Sequence, residues 1–144
     1  MPGCTFRISG PDFDVDGFLS EVSWQITDSY KSGDELKLRK GRFREDSGFW
    51  MTVSKSDGLL HEEVDDVERF LVVNRVLIEK LVKKYNAEEL ELDFGYYCRL
   101  FDDQGEELFS QGEHLRPSFL RICGELNIGV SLSLYHAPNE QDET

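Results

Sequence analysis

Cysteine is scarce in this chain, and the few it has are poorly placed for chemistry. Cys4, Cys98 and Cys123 are an odd number at wide spacings. They form no CxxC pair and no zinc-ligand pattern, which argues against a disulfide framework and against a structural zinc site. Cys98 and Cys123 stand among apolar residues, where an unpaired thiol behaves as a small buried hydrophobe. Reduced thiols of this kind predict a cytoplasmic protein. Histidine is equally sparse: His61, His114 and His136 are far apart and lack paired metal spacing. One of them could meet Cys4 or Cys98 as a nucleophile pair, but residues so scattered are more often surface histidine and core cysteine. No GxGxxG, Walker loop or GxSxG is present. No apolar run approaches the roughly 18 residues of a membrane span. The opening MPGCTFRISG lacks the charged and apolar regions of a secretory signal. These absences predict no metal, no cofactor and no membrane insertion.

Cations are also in short supply. Sixteen Lys and Arg face 29 Asp and Glu, for a net charge of −13. An acidic excess disfavours DNA, RNA and anionic membranes, whose phosphates demand a positive surface, and favours encounter with basic proteins. Six of the cations fall between Lys31 and Arg44, in KSGDELKLRKGRFR. With two acids the window carries +4, so the rest of the chain carries −17.

What is present predicts a folded protein. The 144 residues are 39% apolar and 12% aromatic, enough for a core despite the charge. The expected organisation is one domain over 1–137 and a polar, flexible tail over 138–144. Residues 4–9 alternate as a short strand, and Gly10-Pro11-Asp12 breaks it. A short helix with Phe18, Leu19 and Val22 follows, then an extended piece through Trp24, Ile26 and Thr27. The basic window reads as a long loop or loose hairpin. Phe49–Val53 reads as a central strand.

Residues 60–86 carry the clearest pattern. Leu60, Val64, Val67, Leu71, Asn74, Ile78, Leu81 and Tyr85 repeat at steps of four and three, which predicts one long helix with a single polar member in its stripe. Asn74 could mark a kink. Acids crowd the start and lysines the end, as the helix dipole favours. Leu90, Leu92, Phe94 and Tyr96 alternate with Glu89, Glu91, Asp93 and Gly95, predicting a strand with one wet face. Asp102–Gly105 reads as a turn, and GEELFSQG as a short returning strand. Pro117 opens a helix to about residue 126, and Val130, Leu132 and Leu134 alternate with serines in a final strand. The order β-α-β-β-α-β-(β)-α-β predicts an α+β fold, one mixed sheet packed by the long and the C-terminal helices.

Some of these pieces also occur together in a known family. The opening strand into Gly10, then PDFDVDGFL, the Gly-and-basic loop (Lys31, Gly33, Arg39, Gly41), the Phe49-Trp50 pair, the long helix and HLRPSFLRICGELNIGVSLSLY resemble the bacterial domain of unknown function 4279 family over most of residues 4–135. Trp24-Gln25-Ile26 departs from it where a proline is usual. The resemblance implies an α+β fold. It brings no agreed activity and no catalytic residues.

Two local motifs bear on chemistry. Asp12, Asp14, Asp16 and Gly17 match the start of a calcium loop, but Ser23 stands where the bidentate acid belongs, so an Asp-rich turn capping the first helix is expected. In the basic window, Lys37, Arg39, Lys40, Arg42 and Arg44 could grip phosphate or an acidic partner, or form a solvated hairpin tethered by ordinary ion pairs.

The first functional expectation is a non-enzymatic acidic binding protein of the bacterial cytosol, an immunity-type inhibitor of a basic, nuclease-like toxin. Its contact acids would be Glu62, Glu63, Asp65 and Asp66 with Glu89, Glu91 and Asp93, two groups that could adjoin. The alternatives are a small ligand-binding domain or enzyme with its site between the sheet and loop 31–44, using Trp24, Lys37, Arg39, Arg42 and Trp50, and a structural homodimer joined through a sheet edge or the long helix.

Overall fold

Alternation of small polar and large apolar residues sets the centre of the molecule. In a computed structural model describing residues 2–56, 58–99, 101, 104–107 and 110–136, Cys4, Phe6 and Ile8 of β1 (Gly3–Gly10) are at most 1% exposed, while Thr5, Arg7 and Ser9 point to the opposite face. The elements that follow are α1 (Val15–Leu19), β2 (Asp28–Tyr30), β3 (Glu35–Leu36), β4 (Arg39–Phe43), β5 (Ser47–Ser54), α2 (Leu60–Val73), α3 (Arg75–Lys83), β6 (Glu89–Tyr97), α4 (Pro117–Glu125) and β7 (Gly129–Tyr135). Five strands make one mixed sheet in the order β2-β5-β1-β6-β7. All neighbours are antiparallel except β6 and β7, which run parallel. The fold is α+β, as the pattern predicts.

Helices cover one face of this sheet. Leu60, Val64, Val67 and Leu71 of α2 and Ile78 and Leu81 of α3 are buried with Phe6, Phe49, Leu92 and Phe94 of the strands. Phe119 of α4 meets Phe94 edge to face. Burial on this scale contributes about 1.5–3 kcal/mol per large side chain. No helix among the described residues packs on the second face.

The long helix is not continuous. It breaks at Asn74, whose φ of −103° and ψ of 15° leave the helical region. The apolar stripe nevertheless runs through the break, since Leu71, Ile78, Leu81 and Tyr85 all stay buried. Lys83 ends α3, and Asn86 takes a left-handed φ of 64°, as suits a residue just past a helix.

Two other expectations need correction. Trp24–Thr27 forms no regular strand: Trp24 packs against the core, and the segment reaches β5 through Thr27 N, which donates to Trp50 O at 3.0 Å, before the paired residues begin at Asp28. Among the described residues of 105–112 the expected returning strand shows one bridge, Glu107 to Phe101, and residues 108–109 lie outside the described residues. Val130, Leu132 and Leu134 share the helix-side face with Leu92, Phe94 and Tyr96, yet Leu132 is 45% and Leu134 58% exposed, because β7 is the sheet edge and reaches beyond the helical cover. The tail at 138–144 and Asp102-Asp103 of the expected turn fall outside the described residues.

Candidate functional site

The second face of the sheet is where functional side chains gather. Cross-strand register fixes its rows. Asp28 of β2 stands opposite Trp50 of β5, Trp50 opposite Arg7 of β1, and Arg7 opposite Glu91 of β6. The next row runs Thr52, Thr5, Asp93, Ser131. Trp50 is half-buried and Arg7 exposed at the middle of the sheet. Arg7 Nη1 donates to Asp93 Oδ2 at 3.3 Å. Ser131 and Ser133 of β7 donate to Glu91 and Asp93 at 2.7 and 2.8 Å. The β6 acids are therefore held in place by neighbours on the same face.

A cleft of about 680 Å³ opens at one end of this face. Thr5, Thr52 and Gly3 belong to its adjacent strands, with Trp50 towards one side and Tyr97 towards the other. Lys55 lines it and makes no ion pair among the described residues. Two glycines shape this end. A Cβ on Gly3, at φ +116°, would sit 2.6 Å from Ser54 O, and one on Gly58, at φ +87°, would sit 2.2 Å from the Tyr97 ring. Gly58 O also accepts from Tyr97 N at 3.2 Å, so the loop after β5 is laid against the aromatic side of the cleft.

Glu63 lies near this end, on the helix side, and is a correction. It was expected on the surface with Glu62, Asp65 and Asp66, but it is wholly buried. Neither carboxylate oxygen has a hydrogen-bonding partner among the described residues. Burial pushes its carboxyl from an ordinary 4.5 up to about 7, and the charge of Asp66 adds to that. The Ser56 hydroxyl and Gly3 N–H oppose the rise from nearby without closing a hydrogen bond.

Asp65, Asp66 and Glu68 of α2 are engaged on the helix side. Ser54 Oγ donates to Asp66 at 2.8 Å, made possible by a bulge at Cys4/Thr5 that turns the end of β5 inward. Arg116 pairs with Asp65 and Glu68. The Glu68 carboxyl is lowered by a hydrogen bond from Ser118 and by Arg116. The two acid groups thus occupy opposite faces and form no joint patch: Glu62, Asp65 and Asp66 belong to the helices, and Glu89, Glu91 and Asp93 to the bare sheet face.

The expected aromatic pair also divides. Trp24 packs against Phe18, Phe49 and Phe70 in the core, while Trp50 faces outward on the other side. The basic window forms the β3–β4 hairpin, with Lys37 in its turn. Lys37 pairs with Asp28 at 3.5 Å and Lys31 with Asp16, and the Arg44 guanidinium lies 4.0 Å over the Tyr30 ring. Arg39, Lys40 and Arg42 are exposed without an ion pair among the described residues. None of residues 31–44 lines this cleft, and of the ligand residues expected from sequence it holds Trp50; Lys31 and Ser32 line a smaller hollow with Ser47 of β5 beside α1.

The Asp-rich turn caps α1, with Gly17 N donating to Asp14 Oδ1 at 3.0 Å. Cys4 and Cys123 are buried, and burial raises both thiols, Cys123 to about 12, which leaves them protonated and weakly nucleophilic. No three His, Cys, Asp or Glu side chains gather to hold a metal ion among the described residues. No described helix is long and apolar enough to cross a membrane.

Thr5, Arg7, Thr52, Lys55 and Tyr97 were not singled out from sequence. The available signal was the polar half of β1: a central strand reading Thr-Arg-Ser on alternate positions belongs to a sheet with one face left open.

Fold and site together define an α+β protein with one helix-covered and one open sheet face. The chain belongs to the family described as Domain of unknown function (DUF4279), which matches residues 2–137. No curated protein and no solved structure matches it.

Proposed function

We propose that this is a non-enzymatic binding protein of the bacterial cytosol that engages a basic protein through the open face of its sheet, as an immunity-type inhibitor engages a nuclease-like toxin. The observation that carries this is the row Asp28, Trp50, Arg7, Glu91 across the middle of that face. Trp and Arg are the side chains that most often dominate protein interfaces. Here they are framed by acids, and the net charge of −13 would speed encounter with a cationic partner. Regular strands hold the row rigidly, so little order must be created on binding. The test is binding of a candidate basic partner by the wild type, Trp50→Ala and the helix-side double variant Glu62→Lys/Asp66→Lys. The expected outcome is loss of affinity with Trp50→Ala and little change with the double variant.

A second use of the same face has its own support. The cleft volume lies within the roughly 300–1,000 Å³ of small-molecule sites, and it combines two aromatics, three threonine hydroxyls and a lysine without an ion pair among the described residues. A compact anionic or sugar-like ligand would suit that lining. Ligand binding lost with both Lys55→Ala and Tyr97→Ala, and unaffected by Asp28→Ala, would favour this use over a protein contact.

A further inference from the structure

The two edges of the sheet are guarded very differently. At one edge β2 is three residues long, carries Asp28, and is flanked by the hairpin through the Lys37–Asp28 pair. Short, charged, covered edges of this kind resist pairing with other strands. At the other edge β7 is seven residues long, Gly-Val-Ser-Leu-Ser-Leu-Tyr, with neither a charged residue nor a proline. Its one backbone bond outside the β6 ladder, among the described residues, is Cys98 N to Tyr135 O.

We propose that β7 pairs antiparallel with β7 of a second copy about a two-fold axis through Leu132. The strand is self-complementary in that register. Leu132 meets Leu132, Ser131 meets Ser133 and Val130 meets Leu134, three pairs that match in kind, and Gly129 meets Tyr135. The last pair covers a bare glycine with an aromatic ring, a known stabilising device at sheet edges. On the helix side, Val130, Leu132 and Leu134 would join the same residues of the other copy and bury surface that is 45% exposed at Leu132 and 58% at Leu134.

Charge selects a second copy at this edge in particular. Two chains of −13 repel over most of their surfaces. Along β7 there is no charge to repel, and the nearest acids on the neighbouring strand, Glu91 and Asp93, already accept from Ser131, Ser133 and Arg7. The contact is isologous and closes on itself, so it yields a dimer and not a fibre. It would place the open faces of both copies in one continuous sheet. This inference uses the sheet edge alone and does not depend on what the open face binds.

The test is sedimentation velocity over a dilution series, joined to site-directed cross-linking in a Cys98→Ser background. The wild type should show a concentration-dependent dimer. Leu132→Lys sets two cations against each other across the axis and should abolish it; Leu132 is half-exposed, so the variant should keep the wild-type circular dichroism. Leu132→Cys should give a covalent dimer with a short bis-maleimide, because cross-strand partners lie about 4.5–5.5 Å apart. Leu134→Cys, four residues from its own copy in this register, should link far less. A chain that stays monomeric throughout the series with no link at residue 132 would overturn the inference. So would a dimer that survives Leu132→Lys and links equally well from 134.

Discussion

Trp24 donates its indole Nε1–H to Asn74 Oδ1 at 3.2 Å, and Asn74 Nδ2 donates in turn to Phe70 O at 2.9 Å. The one polar member of the helical stripe therefore stands where the chain leaves α2, answering the one indole that enters the core. Asn74→Ala would leave the Trp24 N–H unpaired in a half-buried site and should cost about 1–3 kcal/mol in urea unfolding. Trp24→Phe should remove most of that penalty from the pair. A double variant whose losses simply add would contradict the coupling.

Leu71 and Val73 sit two residues apart and should behave oppositely. Leu71 is fully buried and Val73 is 75% exposed. Leu71→Ala should destabilise by about 2–5 kcal/mol. Val73→Ala should stay within about 0.5 kcal/mol of wild type in the same urea titration.

The sequence was most legible where a period repeats over many residues. The 60–86 stripe, the alternation from Leu90 to Tyr96 and the run Phe49–Val53 located the core elements because burial of each face follows directly from spacing. It was least legible where a single long-range contact decides. Trp24 and Ile26 look extended locally, but Trp24 bonds Asn74, fifty positions away, and the segment joins the sheet only from Thr27 onward. Glu63 has the spacing and company of a surface acid, and only packing at the end of β1 and β5 buries it. The cleft assembles Thr5, Trp50, Thr52 and Tyr97 from three strands, and strand order cannot be read from alternation alone. The two acid groups were each placed on the right element, but on opposite sides of the sheet.

Glu63 gives stability an unusual dependence on pH. A carboxyl raised to about 7 keeps in the folded state a proton that the unfolded chain releases near 4.5. Below about 4.5 both states hold it and there is no penalty. Between about 4.5 and 7 stability should fall as pH rises, and above 7 the penalty stays constant, about 3 kcal/mol in all. Glu63→Gln should remove this slope and be more stable than wild type at pH 8. An unchanged slope in urea midpoints between pH 5 and pH 8 would show that Glu63 ionises normally.

Gly58 links backbone conformation to the cleft. Gly58→Ala forces a side chain into a φ of +87° and into the Tyr97 ring, and should cost at least about 1 kcal/mol in thermal or urea unfolding. It should also shift the Tyr97 ring resonances. Gly105→Ala, whose φ is +80° with nothing within 4 Å, should carry backbone strain alone and leave Tyr97 unmoved.

If the open sheet face recognises a basic protein, as proposed, the row through Trp50 and Arg7 should carry most of the binding. The most direct measurement is binding of a basic protein partner by the wild type and three variants, Trp50→Ala, Arg7→Glu and Glu62→Lys/Asp66→Lys, each at low and at physiological salt. The account predicts that Trp50→Ala weakens binding at least tenfold at both salts. Arg7→Glu should disturb the Asp93 contact and weaken binding as well. The helix-side double variant should mainly slow association at low salt, since charges beyond about 8 Å are screened at physiological ionic strength. Full affinity in Trp50→Ala together with loss of binding in the Glu62→Lys/Asp66→Lys variant would place recognition on the helices and contradict the account.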